Sequence, residues 1–206
     1  METELKAFLL LFVLLNPFIL SIYLLELVRE LSLKEFSAQI VKAVVLSFAI
    51  FLVFAWAGER IFADVLQIRF LAFMIFGGVI FLIVGVRLIL GIGPPVEVPA
   101  AGHHDMSGAI AMPFIVGPGT ISAVVIISSS TRHFGATAAI IALAMGAAVL
   151  ALLALKWLHD FVRYRNERYV ERYTEIAGRV TALFTGSFAI DMILKGFERW
   201  MTELPP

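Results

Sequence analysis

The chain has 206 residues, of which 61% are hydrophobic and 16% charged, and its mean hydropathy is +0.96. A soluble domain of this size cannot cover so apolar a composition with polar surface, so a lipid bilayer is the predicted solvent. Basic and acidic residues balance at 16 each and cysteine is absent, which excludes a basic nucleic-acid face, disulfides and thiol catalysis.

Six apolar runs are long enough to cross the hydrocarbon layer, which takes about 20 helical residues. In chain order they lie near residues 5–27, 41–58, 66–90, 109–130, 134–158 and 176–197. The predicted fold class is an all-α membrane protein with six transmembrane helices.

The two sides of the predicted membrane domain differ in basic charge. The side that holds both termini carries six basic residues, Lys6, Arg60, Arg69, Arg132, Lys195 and Arg199. The other side carries ten, Arg29, Lys34, Lys42, Arg87, Lys156, Arg163, Arg165, Arg168, Arg172 and Arg179. Because cytoplasmic loops are enriched in Lys and Arg, we expect a multi-pass protein of the cell membrane with both termini outside and the loop 159–173 in the cytoplasm.

Two proline motifs indicate an internal duplication. Asn16-Pro17-Phe18 and Gly117-Pro118-Gly119 interrupt the first and fourth runs at their middle, 101 residues apart. The same offset aligns four identical pairs, Ser21 with Ser122, Ile75 with Ile176, Gly77 with Gly178 and Gly85 with Gly186. Each half holds three runs, an odd number, so the second half must be inverted. The predicted organisation is a repeat over 1–90, a linker over 91–107 and an inverted repeat over 108–206.

The predicted linker is rich in Pro and Gly and continues into His103-His104-Asp105. Adjacent histidines do not share a helical face, and the sequence has no further His or Cys cluster to complete a metal site. A solvated linker is therefore favoured, and neither a metal nor a cofactor is predicted.

The proline motifs predict broken helices. Proline removes one backbone donor and pushes the residue before it out of helical geometry, so Asn16 and Gly117 are the predicted break points. Asn and Gly are accepted as N-caps and proline is favoured at the first helical position, so new half-helices should begin at Pro17 and Pro118. Both breaks lie about 14 to 16 Å into their runs, near the midplane of a ~30 Å layer.

Inverted repeats would bring the two half-helix N-termini together, with their unsatisfied N–H groups and partial positive charge. A carboxylate is the natural guest at such a place. The hydroxyls of Thr120 and Ser122 would add contacts, and Gly119 would let a small ligand approach the backbone. Proline kinks that bind nothing are the alternative, favoured for one break alone but not for two in register.

Asp191 lies inside the sixth run, where an ionisable group is costly and suggests a function. It is expected either to contact a substrate ammonium or carry a coupling proton, or to pair with Lys195 on the same helical face. The residues leave both interpretations open. The glycines of the third and sixth runs are expected to permit close helix packing.

The stretch Met112-Pro113-Phe114-Ile115-Val116-Gly117-Pro118-Gly119-Thr120-Ile121-Ser122 resembles the fourth span of the MarC family of six-span membrane proteins. Asn16-Pro17, Phe76-Gly77-Gly78-Val79-Ile80-Phe81 and the sixth-span glycines are similar too, so the resemblance covers nearly the whole chain. It implies the signature residues Asn16, Pro17, Gly117, Pro118, Gly119 and Thr120.

The family includes a transporter of small neutral amino acids, so the resemblance implies glycine, alanine or similar substrates. The chain departs from the family after Asn-Pro, where Ile19, Leu20 and Ile22 are apolar. It also has Asp191 where the family more often has glutamine.

The favoured function is a secondary transporter of small neutral amino acids that works by alternating access and is coupled to H+ or Na+. The predicted substrate-binding residues are Asn16, Pro17, Phe18, Gly117, Pro118, Gly119, Thr120 and Ser122. A channel or passive pore lined by the same amides is the alternative. An intramembrane enzyme is disfavoured because no nucleophile–base pair appears. The expected partners are the amino acid and the bilayer, without nucleic acid, and the oligomeric state is left open.

Overall fold

The computed structural model describes residues 2–91, 106–131, 133–163 and 167–203, and these residues form an all-α protein. The helices in chain order are α1 (Glu2–Leu15), α2 (Pro17–Tyr23), α3 (Leu25–Glu30), α4 (Leu33–Ala57), α5 (Phe70–Ile89), α6 (Ser107–Ile110), α7 (Pro118–Ser130), α8 (Phe134–Arg163) and α9 (Glu167–Glu203). Two π-helical turns, Ile61–Val65 and Ala111–Ile115, precede α5 and α7. The predicted helical class is confirmed.

Four segments of the described chain are long and apolar enough to cross a membrane: Thr3–Ser21, Leu33–Ala57, Phe70–Arg87 and Phe134–Val162. The predicted fourth run is divided, and its longer part, Pro118–Ser130, is an apolar helix too short to be counted with them. Large aliphatic side chains such as Val45, Leu143 and Leu150 point outward, as expected for helices that contact lipid. The protein is therefore a multi-pass integral membrane protein.

Polar helix ends extend beyond the apolar runs, so several boundaries differ from those predicted. The second predicted span corresponds to α4, which begins at Leu33 instead of 41 because Ser32 and Glu35 form a capping box. The Ser32 Oγ accepts from the Glu35 N–H, and the Glu35 carboxylate accepts from the Ser32 N–H. The predicted loop 159–173 is much shorter, because α8 continues to Arg163 and α9 begins at Glu167. Most of the predicted linker, including His103, His104 and Asp105, lies outside the described residues.

Helices α5 and α9 are the third and sixth in the predicted repeats, and they pack closely against each other. A Cβ on Gly85 would lie 3.1 Å from the Gly186 nitrogen, and one on Gly78 would lie 2.8 Å from the Ala189 carbonyl oxygen. At both positions a side chain would press on backbone atoms of α9, so glycine permits the close approach of the two helices. The packing role is thereby confirmed for these two glycines, whereas the surroundings of Gly178 are outside the described side chains.

A third glycine of α5 fixes the position of the fourth predicted run. A Cβ on Gly77 would lie 2.6 Å from the Pro118 Cβ. The first residue of α7 therefore lies directly on the backbone of α5. This contact places the Gly117-Pro118 break against the α5–α9 pair.

A buried lysine ties α8 to α3. Lys156 is 2% exposed, and its Nζ donates to the Val28 carbonyl oxygen at 2.7 Å and to Asp160 Oδ1 at 2.6 Å. The ammonium lies at the C-terminal end of α3, where a positive charge is favoured by the helix dipole. From the sequence, Lys156 was counted only among the basic residues on one side of the membrane. Its structural role was therefore not predicted.

The α5–α9 contact predicts a difference between two glycine substitutions. Gly85→Ala should lower the apparent melting temperature of the purified protein, because overpacking against backbone costs about 1 to 3 kcal/mol. Gly186→Ala is the matched control, since a Cβ there meets nothing within 4 Å. Melting curves in detergent compare the two, and equal effects would contradict the proposed close approach.

Candidate functional site

The first break is made by one residue, Asn16. Its φ of 40° is left-handed, a conformation that asparagine tolerates better than most residues. Its N–H donates to the Phe12 carbonyl at 3.1 Å and so completes α1, while its Oδ1 accepts from the Ile19 N–H at 3.2 Å. Its own carbonyl accepts from Leu20 at 3.0 Å. Asn16 thus ends one helix and caps the next, and the predicted N-cap and the start at Pro17 are confirmed.

The second break is longer and has extended backbone at Met112, Val116 and Gly117, of which the first and the last stand directly before a proline. Gly117 has φ −125° and ψ 169°, and Met112 has φ −119° and ψ 127°. Steric repulsion by the following proline disfavours helical geometry at both positions. The predicted break at Gly117 is confirmed, whereas the break at Met112 was missed although Pro113 indicated it.

The hydroxyl of Thr120 closes the second break. Its Oγ1 accepts from the Gly117 N–H at 2.9 Å and lies 2.9 Å from the Ile115 carbonyl oxygen, to which it donates. The Gly117 carbonyl oxygen at 3.0 Å is a second acceptor within reach. Because the residue is buried, these bonds satisfy backbone groups that lipid could not. The structure therefore uses the Thr120 hydroxyl inside the break, although it was predicted as a ligand contact.

Only a few amides at the two N-termini remain without an intrahelical acceptor. Pro17 and Pro118 have no N–H, and the N–H groups of Ile19 and Leu20 are bonded to Asn16. By helix geometry the amides of Phe18 in α2 and of Gly119 and Thr120 in α7 are left over. Fewer backbone N–H groups therefore remain unpaired here than at two helix N-termini without caps.

Helix α1 contributes the complementary groups at its C-terminus. The Phe12 carbonyl accepts from Asn16, but Pro17 has no N–H to offer the Val13 carbonyl. The last carbonyls, those of Val13, Leu14 and Leu15, therefore have no intrahelical donor and carry the partial negative charge of the helix end.

A cavity of about 320 Å³ lies between the two breaks. It joins Asn16 with Gly117 and Pro118, which are a hundred residues away in sequence, and also contacts Val13, Leu14 and Leu15. Its remaining wall consists of Ile19, Leu20, Tyr23, Ile80, Phe81, Val84, Phe184, Thr185 and Phe188. None of these lining residues carries a charge at neutral pH.

The other predicted contacts do not line this cavity. Phe18 is half exposed on the outer surface, and Pro17 and Ser122 are buried beside the breaks. The Ser122 hydroxyl has no hydrogen-bond partner among the described residues. Gly119 lies against Phe81, since a Cβ at position 119 would overlap the Phe81 ring. Phe81 itself lines the cavity.

Asp191 forms an ion pair with Lys195. Its Oδ2 lies 2.8 Å from the Lys195 Nζ, and both side chains are about half exposed on α9. Asp191 is not among the residues that line the cavity. The pairing that the i, i+4 spacing indicated is therefore present.

These features define an integral membrane protein whose interrupted helices surround an uncharged cavity. The chain belongs to the MarC family, because the family model described as "MarC family integral membrane protein" matches residues 1–201. It is 26% identical over 193 residues to a UPF0056 membrane protein of Aquifex aeolicus (strain VF5), which covers 90% of each chain. It is also 26% identical over 171 residues to the UPF0056 inner membrane protein YhgN of Escherichia coli (strain K12), with 82% of each chain covered. No solved structure matches the chain.

The closure of the second break predicts a stability difference at position 120. Thr120→Val should lower the apparent melting temperature, because a buried Gly117 N–H without an acceptor costs about 1 to 3 kcal/mol. Thr120→Ser keeps the hydroxyl and should melt close to the parent. A loss in Thr120→Ser combined with parental melting of Thr120→Val would show that the methyl group, and not the hydroxyl, stabilises the break.

Proposed function

We propose that the protein is a secondary transporter of small neutral amino acids and that the cavity between the breaks is its substrate site. The observation that carries the proposal is the pairing of opposite helix ends around an uncharged cavity. The last residues of α1, whose carbonyls lack intrahelical donors, line this space together with Gly117 and Pro118 at the start of α7. Such a site suits a molecule that bears both charges and has a neutral side chain.

The ammonium of the substrate would lie at the C-terminus of α1. The carbonyls of Val13, Leu14 and Leu15 lack intrahelical donors, and their residues line the cavity. Helix α1 has 14 residues, enough to contribute a partial negative charge there. A primary ammonium has three donors and matches this group of acceptors.

The carboxylate would lie between Asn16 and the start of α7. The Asn16 oxygen is occupied by the Ile19 N–H, but its amide nitrogen donates no hydrogen bond among the described residues. Gly117 and Pro118 place the positive end of the α7 dipole at the same cavity. One side-chain donor and one helix end would therefore hold the anionic group.

The rest of the wall favours a short apolar side chain. Ile80, Val84 and Phe188 are apolar, and the Phe81 ring rests on Gly119 at the cavity edge. A charged side chain would have no counterion among the lining residues, which makes its burial costly.

Transport would proceed by alternating access between two inverted three-helix repeats, with six spans and the breaks near the midplane. Two facts about the 101-residue offset support this architecture. Gly85 and its equivalent Gly186 contact each other, and Val84 and its equivalent Thr185 both line the cavity. Contacts between equivalent residues are expected along a pseudo-two-fold axis. Coupling to H+ or Na+ and an outside location of both termini complete the proposal.

A substitution at Asn16 tests the site. Asn16→Asp retains the oxygen that caps α2 and tolerates the left-handed backbone, but it replaces the amide donor with a negative charge. Uptake of labelled glycine and alanine into proteoliposomes should fall about 10- to 100-fold, the loss expected for a hydrogen bond to a charged group. Uptake is compared per amount of folded protein, because the added charge has no counterion in the cavity and also costs stability.

Gln39→Glu is the matched control for this experiment. The Gln39 oxygen also accepts from a backbone N–H, that of Met106, and Gln39 does not line the cavity. Its uptake should equal that of the parent. Parental uptake by Asn16→Asp would remove Asn16 from the site, whereas non-saturable flux indifferent to imposed proton and sodium gradients would favour a passive pore.

Asp191 has a separate prediction. Because it already pairs with Lys195, Asp191→Asn should lower the melting temperature by leaving the lysine unpaired, and adding Lys195→Gln should restore it. Uptake measured at several pH values should keep the parental profile in the double variant. A shifted profile in a folded Asp191→Asn protein would instead assign Asp191 to proton coupling.

A further inference from the structure

A second, polar crevice of about 550 Å³ lies at one end of the helices, away from the cavity between the breaks. It is formed where α4 passes through the turn Ile61–Val65 into α5, beside the last turns of α9. Phe70 begins α5 at this crevice, and Ile80 of the cavity lies ten residues later, or about 15 Å along the helix. The two are separate sites.

Three arginines converge on the crevice. Arg199 is held by Glu59 at 3.1 Å and joins α9 to the end of α4. Arg60 and Arg69 also line the crevice, and the guanidinium group of neither forms a hydrogen bond or ion pair with another described residue. Glu59 is the one acidic residue of the lining, so two guanidinium groups are not neutralised.

The backbone between Arg60 and Arg69 is fixed so that both face the same space. The Leu66 N–H donates to the Ile61 carbonyl at 3.0 Å, and the Ile68 N–H donates to the Phe62 carbonyl at 2.9 Å. Between them Gln67 has a left-handed φ of 54°, which is uncommon for a residue other than Gly, Asn or Asp. This reversal brings together two arginines that are nine residues apart in sequence. A guanidinium is the side chain best suited to bind phosphate oxygens in pairs.

Exposed apolar side chains lie on the same segments of the chain as the crevice, close in sequence to its lining residues. Trp56 at the end of α4 is 79% exposed, and Val65 and Leu66 in the connecting turn are 71% and 49% exposed. Exposed tryptophan and aliphatic groups beside arginine are typical of the membrane–water interface, where the apolar parts contact acyl chains and the charges reach the headgroups. This setting favours a lipid as the source of the phosphate over a phosphate dissolved in water.

We propose that the crevice between Arg60 and Arg69 is a binding site for the phosphate of an anionic phospholipid headgroup. The two arginines hold the phosphate, while Trp56 and Leu66 lie beside the acyl chains. Because Arg199 and Glu59 form one wall, the bound lipid bridges the α4–α5 connection and the end of α9. A bound lipid stabilises the folded protein by mass action.

The test compares lipids added to the purified full-length protein in detergent. Phosphatidylglycerol should raise the apparent melting temperature, whereas phosphatidylcholine and inorganic phosphate at the same concentration should not. In the Arg60→Gln/Arg69→Gln variant the concentration of phosphatidylglycerol needed for half of the shift should rise about tenfold or more, because charge-assisted bonds are lost. Native mass spectrometry should show correspondingly less retained phosphatidylglycerol.

The Lys34→Gln/Lys42→Gln variant is the matched control, since it removes two positive charges from the other end of α4 and should respond as the parent does. Should Arg60→Gln/Arg69→Gln not fold, the single variants Arg60→Gln and Arg69→Gln replace it, and each should lose part of the response. An unchanged response in the arginine variants, or an equal loss in the lysine control, overturns the site. Equal protection by phosphatidylcholine overturns the requirement for an anionic lipid, and equal protection by inorganic phosphate overturns a lipid source.

Discussion

The satisfaction of backbone hydrogen bonds at two proline-interrupted helices is the constraint on which the rest of this structure depends. In an apolar surrounding each unpaired N–H or C=O is costly, so a break persists only where side chains replace the lost helical bonds. Asn16 does this alone, by a left-handed turn and a side-chain cap, whereas the second break needs Thr120 and an irregular stretch from Met112 to Gly117. The last residues of α1, whose carbonyls these side chains leave unpaired, line one cavity together with Gly117 and Pro118.

The α5–α9 pair supplies the rigid support for the breaks. Glycine at 78 and 85 lets the two backbones touch, and glycine at 77 lets Pro118 rest on α5. In a membrane, close approach of this kind replaces the hydrophobic driving force that packs helices in water. The same helix then contributes Ile80, Phe81 and Val84 to the cavity wall, so support and wall are adjacent parts of α5.

The positions of the breaks could be predicted from local sequence rules. Features that depend on contacts between distant helices could not be predicted in this way. Asn16 and Gly117 follow from the steric rule for residues before proline, and the same rule, applied to Pro113, would have given Met112. The Ser32–Glu35 capping box could also be predicted from the sequence, but a search for apolar runs does not include helix ends that are polar. By contrast, the contact of Phe81 with Gly119, the second bond of Thr120 to Ile115 and the burial of Lys156 depend on which helices meet. No spacing in a single sequence fixes those neighbours, so the place of Phe81 in the cavity wall and the internal bonds of Thr120 were not predicted.

The bond between Lys156 and the Val28 carbonyl has a consequence for how the protein is made. Lysine deep in an apolar helix would resist insertion into the bilayer, but Asp160, one turn later, accompanies it as a counterion. The α3 carbonyl that receives the ammonium is synthesised 128 residues earlier, so its acceptor exists before α8 leaves the ribosome. The bond thus joins α8 to a helix that is made before it and ties the position of α8 to an earlier part of the chain.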